Sequence, residues 1–156
     1  MPEIAVTKAD VIRAIETERD WWRVVFELAA EPAPVTGDEP INGDWTYREM
    51  IGHINGWRRW TVARLESAAN ASVPLLHPWP DEMTEETEAG TDEINAWFKE
   101  QSVDQSLDAA IAETFTLLDR MRSAAEAMSD ERLLTPGTCV DVDPELAEFP
   151  IGPALV

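Results

Sequence analysis

Apolar residues recur at intervals of three and four in four stretches of this chain, and no stretch makes a compelling strand. Such spacing puts them on one stripe of an α-helix, and a stripe must be buried against another element. The first stretch opens at Thr7, whose hydroxyl suits the free amides of a first turn, with Asp10 near the positive helix end. Its stripe is Ile12, Ile15, Trp22, Phe26 and Ala29, broken at Arg19. It stops before Pro32, because a proline disfavours helix at the residue ahead of it. The second opens on Thr46-Tyr47-Arg48-Glu49, a capping-box pattern. Its inward face is Tyr47, Met50, Ile51, Ile54, Trp57, Thr61 and Leu65. A short third helix carries Ile94, Trp97 and Phe98. Ser106 caps a fourth, with Leu107, Ile111, Phe115, Leu118, Met121, Ala125 and Met128 as its stripe.

The predicted helices cover 7–30, 47–70, 92–101 and 106–128 of a single all-α domain of 156 residues. Ser129-Asp130-Glu131 adds a short turn, and residues 135–156 read as an irregular tail. The tail closes on Pro153-Ala154-Leu155-Val156, which suits a first helical turn. Residues 32–45 form a loop by their content of Pro32, Pro34, Gly37, Pro40 and Gly43. A second loop, 71–91, holds Pro74, Pro78, Pro80 and Gly90. It is long for a structureless connection, which fits a lid, a binding loop or a mobile segment.

Charge narrows the partners. Twelve Lys and Arg against 31 Asp and Glu give a net charge of −19. Nucleic acid and anionic membranes are bound through basic groups, so neither is an expected partner. No apolar run is long enough to span a bilayer, and the N-terminus does not read as a secretory leader. Asp81, Glu82, Glu85, Glu86, Glu88, Asp92 and Glu93 crowd a stretch without Lys or Arg. They lack EF-hand spacing and read as a solvated acidic loop. The single cysteine, Cys139, cannot form an internal disulfide, which favours a reducing, cytoplasmic setting. It reads as a spectator thiol, with no histidine near it in sequence.

His53 is the candidate catalytic residue. It borders the second stripe, one turn from Met50 and Trp57. It reads as a packed histidine, a metal ligand or a metal-free acid/base group. One histidine does not make a zinc site. His77, in Leu76-His77-Pro78-Trp79-Pro80, would complete a facial triad with a carboxylate only by reaching His53. Seven tryptophans are many for this length, and Trp21, Trp22, Trp57 and Trp60 suit either core packing or a flat apolar pocket. Trp57, Trp60, Met50 and Tyr47 are the candidate pocket residues. Arg58 and Arg59 would meet an anionic ligand, stack on rings or pair with surface acids. No Gly-rich phosphate loop or His-Glu-x-x-His pair occurs.

Two segments carry a resemblance. Asp44-Trp45-Thr46-Tyr47-Arg48-Glu49-Met50-Ile51-Gly52-His53-Ile54-Asn55-Gly56-Trp57 resembles the second-helix start of DinB-like proteins. Asp92-Glu93-Ile94-Asn95-Ala96-Trp97, Ser106-Leu107 and Ala127-Met128-Ser129-Asp130-Glu131 resemble the third-helix region of the ClbS/DfsB-like branch. The resemblance covers about residues 7–134. It implies an up-down four-helix bundle with a pocket at one end, often holding a divalent metal such as zinc or nickel through three histidines. His53 matches the second-helix ligand. The chain ends where the fourth helix and the remaining ligands are expected, so the metal site is incomplete within it. The missing helix would leave an apolar groove for a second copy, which predicts a homodimer. The implied function is an enzyme acting on a small electrophilic compound, of transferase or hydrolase type, in self-resistance or detoxification. The alternative is a non-catalytic bundle that binds or sequesters a small molecule, or one that serves a protein partner.

Overall fold

The computed structural model describes residues 6–31, 33, 35–148 and 150–152. Among them are five α-helices: α1 (Lys8–Ala29), α2 (Tyr47–Ala69), α3 (Glu88–Ser102), α4 (Leu107–Ala127) and α5 (Asp130–Leu134). A 3₁₀ turn covers Pro144–Ala147, and two short strands, β1 (Pro40–Asn42) and β2 (Trp45–Thr46), pair antiparallel. The all-α class required by the apolar spacing is the observed one. No helix is long and apolar enough to cross a membrane, among the described residues. The Pro153–Val156 turn, and Pro32 and Pro34 of the first loop, lie outside the described residues.

The helix starts follow from their caps. Thr7 Oγ1 accepts the Asp10 amide at 3.2 Å, and the Asp10 carboxylate accepts the Thr7 amide at 3.0 Å. Thr46 and Glu49 close the same reciprocal box on α2, at 3.3 and 2.8 Å. Ser106 Oγ takes the Ala109 amide at 3.1 Å. The third helix starts at Glu88, earlier than its apolar residues suggest, because Thr87 Oγ1 caps the Gly90 amide at 3.0 Å. Gly90 therefore belongs to a first turn and not to the loop. A side chain there would collide with the Thr84 carbonyl. The β1–β2 hairpin is a second departure from the expected loop. It turns through Gly43 at φ 56°, a left-handed conformation that suits glycine. Strands of two and three residues are too short to show a period.

The chain divides into two compact units, and α1, α2 and α4 each contribute a segment to both. The first unit holds the described residues of 1–22, 61–76 and 118–156. Its core includes Val11, Ile15, Val62, Leu65, Leu118, Met121, Ala125, Leu133, Leu146 and Ile151. Val11 is fully buried where the expected stripe had Ile12, which is half-buried. Trp21 stands 57% exposed, its ring edge-on to the buried Trp22. The tail expected to be irregular is turn-rich and tied down. Gly152 donates to the Leu133 carbonyl at 2.8 Å, and Gly137 to that of Leu146 at 3.1 Å. Arg132 spans Ala68 O, Thr138 O and the Asp141 carboxylate. Cys139 is buried here, and burial pushes its thiol above the ordinary cysteine value, the inert state expected of a spectator.

The second unit, residues 23–60 and 77–117, carries every candidate site residue. Ile51, Leu107 and Ala110 are its buried centre, with Phe26, Val35, Tyr47 and Ile111 packed against them.

Candidate functional site

Three features of the second unit bear chemistry: an aromatic cluster, a buried polar network and an open cavity. The aromatic cluster includes Trp57, Trp60, Trp79, Phe98 and His77. Trp79 lies 5.5 Å from Trp57 and 5.3 Å from Trp60 between ring centroids, and His77 stacks on it at 5.2 Å and 10°. The indole N–H of Trp57 donates to Asn95 at 2.8 Å, and that of Trp60 to Glu85 at 2.9 Å. The His77-Pro78-Trp79-Pro80 segment is thus anchored through a buried tryptophan. His77 Nδ1 lies 2.8 Å from the Trp79 carbonyl oxygen, and Nε2 is 3.7 Å from Asp81. Most of the acidic run around it is exposed, as expected, but Glu85 is half-buried by its bond to Trp60.

The polar network was not foreseen. Asn55 and Thr114 are fully buried and Arg58 is 8% exposed. Asn55 Nδ2 donates to Ala110 O at 2.9 Å, while its Oδ1 accepts from Arg58 at 3.2 Å and from Thr114 at 3.0 Å. Beside it, Arg59 grips Glu113 with two parallel bonds of 2.7 and 2.8 Å, and Gln105 adds a third at 3.0 Å. Burial alone would raise the Glu113 carboxyl. The bonds from Arg59 and Gln105, the Arg59 charge and a bond from Asn55 outweigh it and hold the carboxyl below the ordinary range. Arg58 is therefore buried, and Arg59 pairs with a half-buried acid.

The cavity, about 320 Å³, is lined by Gly52, Arg59, Trp97, Phe98, Gln101, Ser102 and Gln105. Its floor depends on close approach of α2 and α3. A Cβ at Gly56 would meet the Phe98 ring at 2.5 Å, and one at Gly52 would strike Ser102. Tyr47, Met50, Trp57 and Trp60 are not among the lining residues of this cavity. Tyr47 instead joins the apolar centre and Trp60 is buried.

His53 lies beside Trp45, ring centroids 5.3 Å apart and edge-on. Its Nδ1 is buried and has no hydrogen-bond partner among the described residues. Desolvation pushes its pKa below the ordinary histidine value, so the neutral imidazole is favoured. The sign follows: the unfolded chain takes the proton more readily. The stabilising contribution is full above the ordinary histidine pKa and is lost as pH falls through it toward the lowered folded value. Wild-type urea midpoints are expected to fall between neutral pH and pH near 5 by more than those of His53→Phe. Parallel pH profiles for the two proteins would refute the burial of a neutral imidazole. No group of three or more His, Cys, Asp or Glu side chains is placed to hold a metal ion, among the described residues. The His53–His77–carboxylate triad does not form there.

Gly52, Gly56 and the run of two arginines were the sequence signals for the cavity and its charge. A helix with glycines four apart can approach a neighbour closely, but which neighbour is a tertiary fact. No protein-family model matches this chain, and neither does any curated protein or solved structure.

Proposed function

We propose that this chain binds a small organic molecule in the cavity of the second unit, the alternative weighed beside the enzyme that the DinB-like resemblance implies. The observation that carries the reading is the lining of that cavity. Two rings, Trp97 and Phe98, face a paired guanidinium and the neutral polar side chains of Gln101, Ser102 and Gln105. Small-ligand sites combine apolar walls with a few fixed polar groups in this way, and the volume suits a compound of one or two rings. A library of small aromatic compounds, followed by ligand-observed NMR, is expected to return binders. Trp97→Ala and Arg59→Leu are each expected to weaken them by about tenfold or more, the loss of one well-placed contact. Binders indifferent to both substitutions would place the site elsewhere.

A second reading has its own observation, the unpartnered Nδ1 of His53. A neutral imidazole with one nitrogen not tied up in a hydrogen bond can act as a base or nucleophile toward an electrophile that displaces the side chains covering it. In that reading the chain is a metal-free enzyme acting on a reactive compound. The compound would be recovered changed from wild type and unchanged from His53→Gln.

A further inference from the structure

Three side chains of the cavity are already committed to partners, and those commitments fix what they can offer a ligand. Glu113 takes the Nε–H and one Nη2–H of Arg59. A guanidinium has five N–H groups, so three remain after the pair is made, and the pair as a whole carries no net charge. Ser102 donates its only hydroxyl hydrogen to the Lys99 carbonyl at 2.7 Å, which leaves its oxygen as an acceptor. Gln105 turns its amide nitrogen to Glu113, which leaves its carbonyl oxygen as an acceptor. The cavity therefore offers N–H donors from Arg59 and acceptors from Ser102 and Gln105, beside two rings that pack on each other.

We propose that this cavity selects planar primary amides over the matching carboxylates, with Arg59 receiving the amide oxygen and Ser102 and Gln105 receiving its N–H groups. The inference rests on the reading of this cavity as a binding site. An amide has both a donor and an acceptor, whereas an ionised carboxylate only accepts. A carboxylate would meet Arg59 with its charge already cancelled, would face the Ser102 and Gln105 lone pairs, and would join a chain of net charge −19. Glu113 stays ionised at neutral pH, so the cancellation persists. Glu113 is thus a specificity-setting residue, held in place by Arg59 and Gln105.

Benzamide and benzoate test this, since they share shape and differ in charge and donors. Binding to the full chain is followed by the indole ¹H–¹⁵N resonance of Trp97, assigned with Trp97→Phe. Benzamide is expected to bind wild type at least about tenfold more tightly than benzoate, the difference of one satisfied against one unsatisfied polar contact. Glu113→Gln frees the Arg59 charge and is expected to narrow or reverse that ratio. Ser102→Ala removes an acceptor without touching the ion pair. It is expected to weaken benzamide and to leave benzoate no weaker, and it decides the matter if the Glu113 variant does not fold. Benzoate binding wild type as well as benzamide would overturn the selectivity and leave the cavity a binding site. Neither compound shifting Trp97 would overturn the cavity reading itself.

Discussion

Replacing Asn55 with leucine is expected to destabilise the protein by about 2–4 kcal/mol, since each buried donor or acceptor left without its bond costs about 1–3 kcal/mol. Asn55 is fully buried and meets three groups: Ala110 O, Arg58 and Thr114. Leucine is close in size but satisfies none of them. Arg58, a guanidinium that is 8% exposed, loses one of its acceptors. The Ala110 carbonyl keeps a weaker alternative, since Thr114 Oγ1 also lies 3.1 Å from it. In urea the midpoint is expected to drop by about 1–2 M, taking an m-value near 2 kcal/mol/M for a chain of this size. Thr114→Val removes one bond and is expected to cost about 1 kcal/mol. An Asn55→Leu protein no less stable than Thr114→Val would mean that water, and not Asn55, satisfies these groups.

Gly56→Ala is expected to cost about 2–3 kcal/mol, at the upper end of overpacking penalties. On an exposed helix the change would be stabilising, because alanine is the better helix former by about 1 kcal/mol. Here the added Cβ would lie 2.5 Å from several atoms of the Phe98 ring. Phe98 is 1% exposed and held between Trp57, Trp79 and Trp97, so the ring cannot step aside. The helices must part, and the cavity floor opens with them. Thermal unfolding of Gly56→Ala beside Gly56→Ala/Phe98→Leu separates the two contributions. A smaller side chain at 98 is expected to return part of the loss. A Gly56→Ala protein as stable as wild type would show that α2 and α3 are not in close contact at this point.

The helices were legible because their causes are local. Three-and-four spacing, the Thr46–Glu49 box, and the Thr7 and Ser106 caps act within a turn or two, and each sits where the sequence put it. Misplaced boundaries have local causes too. Gly90 reads as a breaker by type, yet its place inside the first turn of α3 is set by Thr87 and by the nearby Thr84 carbonyl. The hairpin at 40–46 escaped because strands of two and three residues have no period to detect.

The candidate site was much less legible. His53 could be singled out by type, and its half-buried, unpartnered state could not, since that depends on which chain segments leave Nδ1 alone. The tryptophans were conspicuous, but Trp21 is exposed and Trp60 and Trp79 are packed away, a sorting made by neighbours distant in sequence. Asn55 and Thr114 carry no local signal, and Arg58 by type suits an anionic ligand, a ring or a surface acid. They are buried because their partners lie across α2 and α4, 55 and 59 residues apart in the two Asn55 contacts. By itself the sequence determined the helical class, the caps and the acidic surface, all set by local or additive physics. Tertiary structure alone decided which polar residues are buried together, because desolvation and hydrogen-bond satisfaction depend on contacts that no local pattern encodes.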